Sequence, residues 1–202
     1  MTTGEKLYDA WMRLPIVALT LFFLARETGA LRQLVGSHPY FGDDWPFAAN
    51  VAARVSVLMF LVLLALLHGS RRRPVRKYET WQPKIVALLG LSFTFLLLLL
   101  DRAPSEAMWD SASAVLILVG DTLCILAVLY LGRSLSIMPE ARKLVTAGLY
   151  RRIRHPLYLA EEIAVVGIFL QFRSWQALAI VAVHFYFQIR RMGWEEIGRA
   201  HV

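Results

Sequence analysis

The stretch Ile85–Leu100, IVALLGLSFTFLLLLL, contains no charged residue. Similar apolar blocks recur along the 202-residue chain, in which 57% of the residues are hydrophobic and only 18% are charged. Soluble domains contain about 45–50% apolar and about 25% charged residues. Uninterrupted apolar blocks are typical of membrane-spanning helices. They exclude a disordered chain, a disulfide-rich scaffold and an ordinary soluble enzyme.

Six apolar segments predict an all-α fold, a polytopic integral membrane bundle of five to six transmembrane helices. Their approximate bounds are Tyr8–Ala25, Phe47–Leu67, Lys84–Leu100, Ser111–Leu131, Leu157–Leu170 and Trp175–Ile189. The last two are shorter than the about 20 residues that a membrane span needs, and only a few residues separate them. They are therefore interpreted as a C-terminal helical hairpin. Backbone in lipid must satisfy its own hydrogen bonds, which favours helices throughout.

The distribution of basic residues predicts the orientation of the chain in the membrane. If all six segments span, one side holds 17 Lys and Arg residues and the other holds 5. This bias places both termini in the cytoplasm and the protein in the inner membrane. Because the basic residues stand between apolar blocks, we interpret the net charge of +7 as a topology signal that favours the lipid bilayer as partner and not nucleic acid. The same topology makes Glu27–Trp45 an external loop and Gly132–Arg154 the longest cytoplasmic loop.

The densest motif is Gly148–Glu162, GLYRRIRHPLYLAEE, at the start of the fifth segment. Pro156 suits the first turn of a helix, which places His155 near the N-cap and Tyr158 in the first turn. Free N–H groups at this helix end, together with Arg154 and its basic neighbours, favour an anionic ligand group. The alternative interpretation is a set of anchors at the membrane surface, and the residues alone leave both open.

Ionisable residues also occur inside the apolar segments. Glu161 and Glu162 fall one to two turns inside the fifth segment, and such groups usually face the bundle interior or a wet cavity. Asp121, midway along the fourth segment, is predicted either as a site residue or as a partner of Arg54 or His184. We otherwise expect His184 to be structural. No HExxH or cysteine-rich pattern is present, so we expect no metal site.

The sixth segment ends in Ile189–Glu196, IRRMGWEE. Arg191 and Glu195 are four residues apart and share a helix face. The pair is interpreted either as a surface ion pair or as part of a site.

The run LVTAGLYRRIRHPLYLAEE, followed in the next segment by RRMGWEE, resembles the isoprenylcysteine carboxyl methyltransferase family. The wider group includes membrane phospholipid N-methyltransferases. The resemblance covers about Gly132–Glu196, and the N-terminal half carries no signature. The matching positions are Leu144, Val145, Gly148, Tyr150, Arg154, His155, Pro156, Tyr158, Arg191 and Glu195.

The resemblance implies a methyltransferase that depends on S-adenosylmethionine, bound at the cytoplasmic ends of the last helices. It implies cofactor contacts at Leu144, Val145, Tyr150, Arg154, His155, Pro156, Tyr158 and Glu195. It places Arg191 beside a small or lipophilic methyl acceptor that enters from the bilayer. A carboxylate acceptor needs no general base. An amine or thiol must lose a proton, which makes Glu161 and Glu162 candidate proton acceptors.

With this resemblance, we expect residues 1–202 to form a single transmembrane domain. Residues 1–131 form an N-terminal four-helix part, and residues 132–196 form the cofactor-binding loop and the last hairpin. The tail 197–202, IGRAHV, reads like a translated sequencing adapter, and we expect it to be non-native. Two alternatives remain. One is an NADPH-dependent sterol-reductase-like membrane enzyme. The other is a non-enzymatic membrane module or transporter, in which Glu161, Glu162 and Asp121 line a conduction path.

Overall fold

The computed structural model describes residues 3–37, 45–70, 82–93, 96–97, 100–104, 106–132 and 145–199. This part of the chain contains six α-helices, a 3-10 turn at Gly148–Arg151 and no strand, which confirms the all-α prediction for these residues. The helices are α1 Thr3–Gly36, α2 Trp45–Ser70, α3 Gln82–Phe93, α4 Ala107–Leu131, α5 Pro156–Phe169 and α6 Trp175–Arg199.

Two of the described helices are long and apolar enough to cross a membrane. They are α2, over Trp45–Leu67, and α4, over Ala107–Leu131. Both keep large apolar side chains exposed, among them Met59 and Leu66 on α2 and Leu129 on α4. An exposed apolar face of this kind is typical of a surface that contacts lipid or another protein. The full count of five to six spans stays a prediction.

Two of the first three predicted segments have clearly different ends in the structure. Helix α1 continues to Gly36, so the first part of the predicted external loop Glu27–Trp45 is helical. Helix α3 ends at Phe93, although the apolar run continues to Leu100. The extension of α1 has a physical reason, whereas the described contacts do not explain the end of α3. Apolarity reports which residues avoid water, whereas helix length depends on backbone propensity, which polar Arg, Gln and Glu also support.

Helix α4 lies at the centre of the fold, between α2 and α5, while α1 packs on α2 and α3 packs on α6. The contact of α4 with α5 requires Gly120. A Cβ atom there would lie 2.5 Å from the backbone nitrogen of Ala164 and 2.9 Å from the carbonyl oxygen of Ala160. Small residues allow helix backbones to approach one another this closely. The close approach holds α5, and with it the His155–Pro156 motif, in a defined place.

Asp121 is buried on α4, and its partner differs from both predicted ones. Its carboxylate accepts a hydrogen bond from the Ser56 hydroxyl of α2, at 3.3 Å. Arg54 instead donates to Glu27 of α1 at 2.7 Å, and His184 faces α5. The predicted pairing of Asp121 with Arg54 or His184 is therefore wrong. The reason is the helix period, which turns residues two positions apart, such as Arg54 and Ser56, toward different neighbours.

The turn between α5 and α6 is tied to the segment that precedes α4. The Ala103 N–H donates to the carbonyl of Gln171 at 2.9 Å. Arg173 donates to the carbonyl of Pro104 at 2.7 Å and to the carboxylate of Glu106 at 3.0 Å. These contacts close the end of the bundle opposite the His155–Pro156 motif.

We expect Arg173→Ala to destabilise this end of the bundle by about 1–2 kcal/mol. The hydrogen bond to the carbonyl of Pro104 accounts for most of the loss, because Glu106 is exposed and an exposed ion pair contributes little. The measurement is thermal unfolding in detergent. Arg151→Ala, at an exposed arginine, is the control and should leave the midpoint unchanged. Equal midpoints for the two variants would contradict the prediction.

Candidate functional site

The start of α5 is set by its sequence. Pro156 occupies the first helical turn, where its missing N–H would have no partner in any case. His155 stands at the N-cap with φ −130° and ψ 61°, outside the helical region, as expected for a residue that precedes proline. Tyr158 follows in the first turn, and its ring centroid lies 5.6 Å from that of His155. Both rings therefore lie at the same end of α5.

Helix α6 extends beyond the predicted end at Ile189, to Arg199. The polar residues RRMGWEE continue the helix because most of them are good helix formers. This extension carries Arg191 and Glu195 to the beginning of α5. The Nε atom of Arg191 lies 4.0 Å from the Oε1 atom of Glu195. Arg191 is only 6% exposed, so the interpretation as a surface ion pair is wrong.

Four residues form what we call the α5–α6 cluster: His155, Tyr158, Arg191 and Glu195. The Tyr158 hydroxyl donates a hydrogen bond to Oε1 of Glu195. The Arg191 guanidinium carbon lies 4.9 Å from the centroid of the Tyr158 ring, a cation–π contact. His155 Nδ1 lies 4.0 Å from Oε2 of Glu195. The cluster thus joins the two sequence motifs through direct contacts between α5 and α6.

Glu196 and Arg154 form the exposed rim of the cluster. Glu196 is 52% exposed, and its Oε1 lies 3.2 Å from His155 Nε2 and 3.9 Å from Nη1 of Arg154. When Nε2 of His155 carries the proton, it can donate a hydrogen bond to the Glu196 carboxylate. The buried Nδ1 atom of His155 then acts as an acceptor, and it has no hydrogen-bond partner among the described residues. The buried Nε–H donor of Arg191 also has no hydrogen-bond partner among the described residues. Unsatisfied atoms of this kind are typical of a site that binds a ligand.

The remaining predicted cofactor residues precede α5. Tyr150 lies in the 3-10 turn with its hydroxyl buried. Val145 is half-buried a few residues earlier, and Leu144 lies outside the described residues. The turn begins at Gly148, whose φ of +58° and close approach to the Tyr130 ring both require glycine. The turn is thereby held against the end of α4.

Glu161 and Glu162 both face α6. Gln188 donates to Oε2 of Glu161 at 2.7 Å. His184 Nε2 lies 3.2 Å from Oε1 of Glu162. Gln188 is not among the predicted site residues, and His184 is predicted to be structural. The spacing of the polar residues in the sixth segment could have predicted this arrangement. Intervals of four, three and four residues separate His184, Gln188, Arg191 and Glu195, which places all of them on one face of α6.

Within the part of the chain that the structure describes, no three His, Cys, Asp or Glu residues are grouped so that they could hold a metal ion. The site instead combines aromatic rings, a guanidinium, an imidazole and carboxylates at the meeting point of two helices. Such a set suits an organic ligand that carries charged groups of both signs.

One comparison with known proteins found a match, and the match covers both sequence motifs. Residues 110–197 match the family model described as phospholipid methyltransferase. This segment includes α5 and nearly all of α4 and α6, and therefore the whole cluster. No curated protein and no solved structure matched. Within residues 110–197, the resemblance to the isoprenylcysteine and phospholipid methyltransferase group is confirmed.

Proposed function

We propose that this protein is an integral membrane methyltransferase that uses S-adenosylmethionine and acts on a small or lipophilic acceptor at the cytoplasmic face. The observation that carries the proposal is the α5–α6 cluster. Tyr158 of α5 meets Arg191 and Glu195 of α6 within the segment that matches a methyltransferase family. The cytoplasmic location is supported by the bias of Lys and Arg between the predicted loops.

The residues of the cluster fit the cofactor by their chemistry. S-adenosylmethionine carries a sulfonium and an ammonium group, which the Glu195 and Glu196 carboxylates complement. Its carboxylate matches Arg154, which is 87% exposed and free to reorient. Tyr158 and His155 offer aromatic faces to the adenine ring. The unsatisfied Nδ1 atom of His155 can accept a hydrogen bond from the bound molecule.

The bound cofactor supplies a methyl group that its sulfonium already activates. The protein therefore has to align the acceptor and exclude water, and both follow from a buried site. Arg191 keeps its charge at any physiological pH and is almost fully buried, so it can hold an anionic part of the acceptor by charge-assisted hydrogen bonds. Tyr158 orients Arg191 through its ring and Glu195 through its hydroxyl.

Thermal unfolding in detergent, with and without S-adenosylhomocysteine, tests the proposal. A ligand that binds only the folded state at 100 times its Kd should stabilise it by about 2.7 kcal/mol. We expect His155→Ala to lose this stabilisation, because it removes the rim contact with Glu196 and the free acceptor atom Nδ1. Trp175→Ala, at an exposed residue near the far end of α6, is the control and should retain it.

A nicotinamide dinucleotide serves as the comparison ligand. Stabilisation by that dinucleotide alone would contradict the methyltransferase proposal and favour a reductase. The absence of stabilisation by either ligand would contradict both enzyme functions.

A further inference from the structure

At the end of the bundle opposite the His155–Pro156 motif, basic side chains from three parts of the chain come together. Arg26 lies on α1, Arg54 on α2 and Arg102 in the segment before α4. Arg54 and Arg26 are both electrostatic neighbours of Arg102. We call these three residues the arginine cluster. The predicted topology assigns only 5 of the 22 Lys and Arg residues to this end, so most of them meet in one place.

The backbone beside Arg102 is held by hydrogen bonds to the turn between α5 and α6. The Ala103 N–H donates to the carbonyl of Gln171 at 2.9 Å. The carbonyl of Pro104 accepts a hydrogen bond from Arg173 at 2.7 Å. The charged neighbours of Arg102 include residues of α1 and α2. The Arg102 side chain therefore bridges from the α5–α6 turn toward these two helices.

Arg54 has a carboxylate partner of its own. It lies within the apolar stretch Trp45–Leu67 of α2, where a charged side chain is costly without a partner. Its Nη1 atom donates to Oε2 of Glu27 at 2.7 Å, and both side chains are only about one-fifth exposed. Among the described residues, Arg26 and Arg102 have no hydrogen-bond or ion-pair partner of this kind.

The charges around Arg102 do not cancel. Its charged neighbours are Arg54, Glu27, Arg26 and Asp110. Three guanidinium groups and two carboxylates leave one positive charge in excess. Partial desolvation of the guanidinium and the like charge of Arg54 lower the pKa of Arg102. An anion placed between these guanidinium groups would relieve the repulsion.

The exposed face of α1 continues from the arginine cluster into the apolar part of the helix. Phe22 precedes Arg26 by four residues and therefore lies on the same face. Phe22 is 60% exposed, and its neighbour Leu21 is 53% exposed. On the other side of Arg26, a Cβ atom at Gly29 would meet no described atom within 4 Å. A guanidinium thus stands between an exposed apolar surface and open space, which matches the order of acyl chain, phosphate and headgroup in a phospholipid.

We propose that the arginine cluster binds the phosphate group of a phospholipid in the adjacent membrane leaflet, with an acyl chain along Phe22. Arg26 and Arg102 donate hydrogen bonds to the phosphate oxygens, while Arg54 stays with Glu27 and adds positive potential. Guanidinium groups suit this function because their donors form a planar fork that matches phosphate.

The excess of one positive charge matches the single negative charge of a phosphodiester. It favours a headgroup without a cation of its own, such as phosphoglycerol. The site lies at the opposite end of the bundle from the α5–α6 cluster, so the inference is independent of the proposed methyltransferase function.

Titration of the full chain in detergent with short-chain lipids tests the proposal, and thermal unfolding is the readout. Dioctanoyl phosphatidylglycerol is the probe, because a ligand that binds only the folded state stabilises it as its concentration exceeds Kd. Dioctanoylglycerol has the same chains without the phosphate. Dioctanoyl phosphatidylcholine adds a cation to the headgroup, and inorganic phosphate lacks the chains. We expect phosphatidylglycerol to stabilise the protein at a lower concentration than any of these three compounds.

Two single variants test the arginine cluster. We expect Arg26→Gln and Arg102→Gln each to lower the affinity for phosphatidylglycerol by about tenfold or more, because each removes charge-assisted hydrogen bonds. Arg26 is exposed, so Arg26→Gln should leave the unfolding midpoint in detergent alone unchanged, which separates lipid binding from folding. Arg32→Gln is the matched control, because it makes the same change at an exposed residue of α1 that is not a listed neighbour of Arg102. It should keep the full affinity.

Several results would overturn the proposal. Equal stabilisation by dioctanoylglycerol would show that the acyl chains alone bind, and equal stabilisation by inorganic phosphate would show that the ligand is not a lipid. Unchanged affinity in both Arg26→Gln and Arg102→Gln would exclude the arginine cluster as the binding site. An equal loss in Arg32→Gln would show that the lipid responds only to the overall charge of this end of the bundle.

Discussion

Glu195→Ala is expected to abolish the stabilisation by S-adenosylhomocysteine and to lower methyl transfer by at least about two powers of ten. Glu195 accepts a hydrogen bond from Tyr158 and lies 4.0 Å from both Arg191 and His155. Its removal leaves the buried Arg191 guanidinium without this carboxylate, and breaking a buried charge pair costs about 3–5 kcal/mol. It also removes a negative charge that complements the cationic part of the cofactor.

Glu196→Ala is the matched control, because it makes the same glutamate-to-alanine change at the next residue. Glu196 is exposed and contacts His155 and Arg154 at the rim of the cluster. An exposed ion pair contributes about 0–1 kcal/mol, so the expected loss of affinity is less than about tenfold. Calorimetric titration of each variant with S-adenosylhomocysteine gives both affinities. Equal losses for the two variants, or an unchanged affinity for Glu195→Ala, would contradict the assignment.

Gly120→Ala is expected to disrupt the packing of α4 on α5 and to cost about 3 kcal/mol or more, at the upper end of the overpacking range. The added Cβ atom would lie 2.5 Å from the Ala164 nitrogen and 2.9 Å from the Ala160 carbonyl oxygen. These are backbone atoms, so no side-chain rotation relieves the contact. Since α5 carries His155 and Tyr158, the variant should lose cofactor binding together with its stability.

Gly193→Ala makes the same chemical change within α6 as a control. A Cβ atom at Gly193 would meet no described atom within 4 Å. Alanine is favoured over glycine in a helix interior by about 0.5–1 kcal/mol, so this variant should be as stable as the unmodified protein or more stable. Thermal unfolding of both variants in the same detergent provides the measurement. An unchanged midpoint for Gly120→Ala would show that α4 and α5 are not packed as closely as the structure has them.

The sequence predicted the parts of the fold that depend on local chemistry. Pro156 marks the start of α5 because proline suits the first helical turn and restricts the residue before it, and the predicted start at Leu157 is one residue away. The apolar run of the fourth segment likewise predicted α4 to within a few residues. The ends of α1, α3 and α6 were predicted less well, because a helix can continue past an apolar run or end inside one.

What the sequence by itself determined is the helical fold, the apolar character of its segments and the identity of the motif residues, because apolar runs, proline position and residue type are properties of the local chain. Only the tertiary structure decided which helix faces meet. It placed Tyr158 against Glu195, buried Arg191, and paired Glu162 with His184 and Asp121 with Ser56. The physical reason is that helical periodicity assigns residues to a face, whereas the neighbour of that face depends on long-range packing.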